Sequence, residues 1–444
     1  MTSSWINLIN RAEKLLGGPA PFINLSSLLT SEAGFLAARA RRLAASTNHP
    51  LFAAVQSCLR GQSFKSVFPL SKTNAHDKTA SQRPSGGLII LLIGQSYSGV
   101  QAGSTKLCSE HRKLAELFET VHTAIAIHKS IVNPVFTKNE EPPVSTTDGG
   151  EVVSEVEREA WAKDIEVGNK LATLAGDVLL ASVSTTLASF YSPKVVDVVS
   201  ESIGNMIEAE FLPIALQFVH RDTQFNTSRT GSASDVAPAW LDYVSLSRGS
   251  LLGGCCQSAV LLSERYLAES GEKPKLNPSL EPSAPSLLAR RLGHDWACLL
   301  RLVEEKEFVN RAWLRGDRSD ATSSVFKTAK NSRAPSRLEI NFHECGLPEL
   351  TFADAFLEQQ LNGEVREYGP NSTHATVFDN AADVLHGYDQ IGSKLADDLH
   401  NSVRDFSASS RRSISSGQTA PIAMELLVEM AEQLISDTLE YRTT

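Results

Sequence analysis

Hydrophobic residues recur along this chain at three- and four-residue intervals, and the two-residue alternation of a half-buried strand is nowhere sustained. Leu114, Phe118, Val121, Ile125, His128 and Val132 form one such stripe, the mark of a helix with a single buried face. Residues 169–190 set Ala, Ser and Gly between leucines, which predicts a helix that another helix can approach closely. The segment 192–211 opens on Ser192 and Pro193, a cap residue followed by a first-turn proline. Similar patterns predict helices over 26–45, 49–60, 87–102, 240–266, 286–308, 350–362, 376–405 and 420–440. Residues 1–16, with Arg11, Glu13 and Lys14 at helical spacing, read as the first helix. The expected fold class is all-α.

Three polar stretches interrupt the pattern, at 61–86, 134–166 and 315–348. The second carries three prolines and nine carboxylates against three basic residues. Each is longer than an ordinary connection, so the expectation is a single domain over 1–444 with disordered insertions at these three places. At 42% hydrophobic the chain can fill a sizeable core, and a net charge of −9 argues against a nucleic-acid partner. The six cysteines form no CxxC pair and no zinc-ligand spacing. They read as free thiols in a reducing compartment. The longest continuous apolar run, residues 88–93, falls far short of the ~20 residues of a membrane span, so no transmembrane segment is expected. The N-terminus has no secretory h-region.

The segment VHTAIAIHKSIVNP, 121–134, raises the question of function. It resembles the first aspartate-rich helix of the all-trans polyprenyl diphosphate synthases, of the form LIHTASLLHDDVID. Further matches follow in the family's order. IEVGNKLATLAGDVLLA, 165–181, is similar to its GNK…LAGDxLLA helix, with Gly168, Asn169, Lys170, Ala175, Gly176 and Asp177 in register. MIEAEF, 206–211, resembles LVxGE, with Glu210 at the glutamate. The stretch 240–262 is similar to the helix that begins with a Lys-Thr pair, and RRLGHDWACLLRLVEE, 290–305, to LGxAFQLxDDxLD. The resemblance implies a bundle of helices around a central cavity, in which two aspartate clusters hold Mg²⁺ while an allylic diphosphate ionises.

This chain departs from that pattern at each chemical position. The first cluster is replaced by Lys129, Ser130 and Asn133, and the second by Leu300, Arg301 and Glu304. The Lys-Thr pair is Ser247-Arg248, and the basic GKRxRP segment is reduced to Arg83-Pro84. The arginines that follow the first cluster give way to the acidic stretch 134–166. A non-catalytic branch of the family, the second subunit of a heteromeric synthase for the ubiquinone side chain, has a comparably emptied helix, LIHxALLVHRGIVN. Its opening EAEKIVGYPTSFxSLRxLL is also similar to RAEKLLGGPAPFINLSSLL at 11–29.

Plain structural roles outweigh chemical ones for most of these residues. His122 and His128 lie about 120° apart on a helix, too far round to share a metal, and read as core or partner-facing. Asp177 reads as a buried structural hydrogen-bond partner. Lys129 and Arg301 read as solvated or ion-paired rather than as a pseudo-substrate site. No catalytic residue, metal or cofactor is expected in this chain. The resemblance implies a catalytic polyprenyl diphosphate synthase subunit as partner, with Mg²⁺ bound there, and a mitochondrial matrix location. Two other readings remain open: an active prenyltransferase with a metal site rebuilt from Asp295, Glu304 and Glu305, and a scaffold that binds a lipid or isoprenoid without turnover.

Overall fold

The computed structural model describes residues 2–18, 83–99, 106–129, 131, 155–211, 233–269, 282–316, 326–328, 338–341, 375–378, 381–413 and 419–440. The expected helices at 26–45, 49–60 and 350–362 lie outside these residues. In chain order the helices are α1 (Thr2–Leu15), α2 (Gly86–Ser98), α3 (Lys106–Lys129), α4 (Glu155–Ser189) and α5 (Pro193–Ala209). They continue as α6 (Ala233–Val244), a π-helical turn (Ser245–Gly249), α7 (Ser250–Glu269), α8 (Ala284–Gly316), α9 (Ala381–Ser413) and α10 (Thr419–Glu440).

The all-α expectation holds, with a small exception. Strands β1 (Phe326–Thr328), β2 (Leu338–Asn341) and β3 (Ala375–Phe378) form an antiparallel sheet in that order, pairing Phe326 with Ile340 and Leu338 with Phe378. Strands of three and four residues are too short to register as alternation, which is why the pattern passes over them. They also correct two expectations. Part of 315–348 is strand, and the helix expected from 376 starts at Ala381. The insertion expected at 134–166 likewise shortens, because residues 155–166 are already helical in α4.

The core is built on α2. Its LIILLI run has no polar face, and every one of those side chains is buried. Each such burial contributes on the order of 2 kcal/mol. Ser85 starts the helix by accepting a hydrogen bond from the Leu88 N–H at 3.3 Å. Helices α3, α7 and α10 surround α2, α8 packs on α7, and α9 packs on α8. Together they enclose one continuous apolar cluster that runs from Trp5 to Leu434. The two ends of the chain are tied together. Trp5 Nε1 donates to Asp437 at 2.8 Å, and Arg11 bridges to Glu429.

Arg83 has a similar structural job. It is buried, forks onto Glu307 at 2.6 and 3.0 Å, and reaches Asp437 at 3.4 Å. Arg83 therefore joins the start of α2 to α8 and α10, and the described end of the 61–86 insertion is a packed part of the fold.

Candidate functional site

Helix α3 ends at Lys129, and Ser130 and Asn133 lie outside the described residues. Lys129 Nζ stands 2.7 Å from Glu210 Oε1, at the far end of α5. On α8, Leu300 packs against the main core and Arg301 turns inward. Arg301 pairs with Glu305 one turn on, at 2.6 Å, and both are almost wholly shielded from solvent. Glu305 also accepts from Trp240 Nε1 at 3.4 Å and from the Tyr388 hydroxyl at 3.1 Å. Arg248, at the π-helical turn, faces the same space. Burial and the Arg301 charge lower its pKa, while Glu304, Tyr243 and Glu210 act the other way. His122 completes the group. Burial, Arg248 and Lys129 push its pKa down to about 3, so the ring is neutral at pH 7.

The resemblance brings Mg²⁺ to this place, and the residues do not fit it. Mg²⁺ takes hard oxygen ligands in near-octahedral geometry. Here Glu210 and Glu305 are each bonded to a cation of the same chain, and Glu304 faces Arg248 and Arg83. A rebuilt site from Asp295, Glu304 and Glu305 meets a further obstacle. At 1.5 Å per residue, Asp295 lies about 13–15 Å along the helix axis from the other two, beyond the reach of one ion. Asp295 is itself held by Ser402, His294 and Arg291. Among the described residues no group of three or more His, Cys, Asp or Glu could hold a metal ion.

The residues in register with GNK…LAGD split between two faces of α4. Gly168, Ala172 and Gly176 face α3 at a spacing of four, and Ala172 packs with Ala124, Ile127 and Leu179 in a small separate core. Gly176 is required by contact: a β-carbon there would lie 2.0 Å from His128 Nε2. His128 is thereby set 3.3 Å from the Thr173 carbonyl and 3.4 Å from Asp177. Asn169 is half-buried and accepts from the Thr173 hydroxyl through its carbonyl. Lys170, Ala175 and Asp177 point outward. Asp177 is thus an exposed helix-surface carboxylate rather than the buried hydrogen-bond partner expected, and it stands beside His128.

The outward side of α4 carries apolar side chains between its polar ones. Leu174 is 51% exposed, Val178 54% and Val167 37%. Ile207 and Phe211, at the end of α5, are 40% and 63% exposed, and Tyr191, between the two helices, is 90% exposed. Helix α4 packs on α3 and α5 on α7, while α4 and α5 make little contact with each other. By length and composition alone, Ile165–Ser189 could cross a membrane, which a search for unbroken apolar runs overlooks. No family profile matches the chain.

Curated relatives do match. The all trans-polyprenyl-diphosphate synthase PDSS2 of Mus musculus is 26% identical over 351 residues, covering 70% of this chain and 75% of that protein. By sequence the chain is similar to all-trans polyprenyl diphosphate synthases. A probable mitochondrial hexaprenyl pyrophosphate synthase of Neurospora crassa is 27% identical over 158 residues, 36% of this chain and 30% of its own length. Among solved structures, a Caulobacter crescentus polyprenyl synthase complexed with calcium and isoprenyl diphosphate aligns over 98% of both chains, at 13% identity and a TM-score of 0.44. In the resemblance drawn from the sequence, Lys129 and Arg301 stand where metal-binding aspartates are expected. The sequence marks both as changed. It does not show that Glu210 closes on Lys129, and Glu305 could have been found as the i,i+4 partner of Arg301.

Proposed function

We propose that this chain is the non-catalytic subunit of a heteromeric trans-polyprenyl diphosphate synthase that supplies the ubiquinone side chain. The observation that carries the reading is the replacement of both metal clusters by internal ion pairs, Lys129–Glu210 and Arg301–Glu305. Carboxylates already bonded to fixed cations have little left to offer a metal–diphosphate complex. The catalytic partner brings the aspartates and the Mg²⁺. The partner docks on the outward side of α4 and the end of α5, where Leu174, Val178, Ile207 and Phe211 stand exposed. Exposed aliphatic and aromatic side chains grouped on one side are the usual material of a protein interface. The complex works in the mitochondrial matrix, in keeping with the mitochondrial names of several relatives. The experiment is affinity capture of the tagged chain from mitochondria. Recovery of a synthase bearing intact DDxxD motifs supports the proposal, and repeated capture of the folded chain without one refutes it.

A further inference from the structure

A second recess lies outside the former metal positions. It is a groove of about 370 Å³ between the end of α5, the π-helical turn and the first turns of α8. Leu246 and Leu287 form apolar walls. Arg290, Arg291 and His294, all on α8, stand along one edge, while Asn205 and Ser250 also line the groove, the Asn205 amide donating to the Ser250 hydroxyl at 3.1 Å and that hydroxyl to the Ser202 carbonyl at 3.4 Å. His294 is seated by close packing, since a β-carbon at Gly249 would lie 2.5 Å from its ring.

Three carboxylates also face this edge, and they hold the cations loosely. Arg290 reaches Glu201 at 3.3 Å and Gln257 at 3.5 Å. Arg291 reaches Asp295 and Asp405 at 3.7 and 4.0 Å, beyond direct hydrogen-bond length. His294 Nδ1 lies 3.1 Å from Asp295. Burial opposes the His294 charge, but Asp295 and the Cys298 thiol outweigh it and hold the pKa up to about 10. The ring is therefore a cation at neutral pH. Two guanidinium forks and an imidazolium match the oxygens of a phosphoryl group. Three cations face three carboxylates at this edge, so the groove is near neutral overall, and the long contacts of Arg290 and Arg291 are what a ligand oxyanion would replace. π-Helical turns are themselves frequent at binding sites.

We propose that this groove binds a phosphoryl oxyanion through Arg290, Arg291 and His294. The ligand is a soluble phosphate or the headgroup of an anionic phospholipid whose first carbons lie along Leu246 and Leu287. The inference does not depend on the subunit reading, because no residue of the former metal positions enters it.

The test uses the full-length chain in two arms. Inorganic phosphate is titrated by calorimetry, and flotation is measured with phosphatidylcholine vesicles with and without phosphatidic acid. Binding in either arm is expected, weakened about tenfold by Arg291→Gln and further by Arg290→Gln/Arg291→Gln. Arg404→Gln, an equal charge change outside the groove, is expected to bind as wild type. Phosphate binding alone identifies a soluble ligand, and flotation that requires phosphatidic acid identifies a lipid headgroup. Circular dichroism and thermal melting confirm that each variant is folded. Binding in neither arm, or equal loss in Arg404→Gln and Arg291→Gln, overturns the proposal. So does a groove variant that loses only a protein partner while phosphate and vesicle binding stay unchanged.

Discussion

His128 lies over Gly176, with its ring edge in the space a β-carbon would fill, 2.0 Å from Nε2. Gly176 is thus an internal packing residue between α3 and α4. Gly176→Ala is expected to displace His128 and to lower stability by about 1–3 kcal/mol, the usual cost of overpacking. Urea denaturation measures it. A variant as stable as wild type would show that the two helices separate freely.

Ala175, on the opposite side of α4, is expected to behave differently. Ala175→Trp and Val178→Asp meet no neighbour within the chain's own core and leave its melting temperature close to wild type. Both weaken capture of the catalytic partner by about tenfold or more, as buried charges and clashes at interfaces do. Wild-type binding by both variants would move the docking surface away from α4.

The Arg301–Glu305 pair predicts a non-additive result. Arg301→Met takes from the buried Glu305 its ion-pair partner and leaves it among donors that include the neutral Trp240 and Tyr388. The expected loss is about 3–5 kcal/mol. Adding Glu305→Gln removes the stranded charge and restores much of the stability. A double variant that is the sum of the two singles would mean the pair is uncoupled.

Stability is expected to decline in acid. Burial lowers the pKa of His111 to about 4 and that of His122 to about 3. The unfolded chain therefore takes up these protons near pH 6.5, before the folded chain does. Their contribution is present above pH 6.5 and is lost as the pH falls toward 4 and 3. Each proton adds a slope of about 1.4 kcal/mol per pH unit. Burial raises Glu119 to about 7 and raises Glu116 as well, and both act in the opposite sense above about pH 4.5. Below about pH 4.5 the glutamates are protonated in both states, and the two histidines leave a net fall in stability there. Denaturation midpoints across this range, in wild type and His122→Gln, check the sign. The variant is expected to show the shallower slope.

Particular residues show what could be read from the sequence. Gly168, Ala172 and Gly176 repeat every four residues, which predicts a helix with a small-residue stripe, and α4 has one. The direction of that stripe is not encoded locally. Apolar residues line both sides of α4, and only the approach of His128 makes the glycine side internal and leaves Leu174 and Val178 outside. That Lys129 and Arg301 bring no carboxylate to their positions is equally plain from residue type. Closure of Lys129 on Glu210 depends on the packing of α3 and α5, a tertiary relation that no local spacing reports. Arg83 is a related case, because a basic residue in a polar stretch gives no sign that two distant carboxylates, Glu307 and Asp437, will bury it. The groove beside His294 escaped notice because its parts come from three separate segments.

The central claim is that the chain contributes no chemistry of its own. Its most direct test is incorporation of radiolabelled isopentenyl diphosphate onto an allylic diphosphate in the presence of Mg²⁺, with the purified chain alone and then with its catalytic partner. No product above the no-enzyme control is expected from the chain alone, and long-chain product is expected when the partner is added. Turnover by the isolated chain that disappears in Glu304→Ala would contradict the account and establish a working metal site.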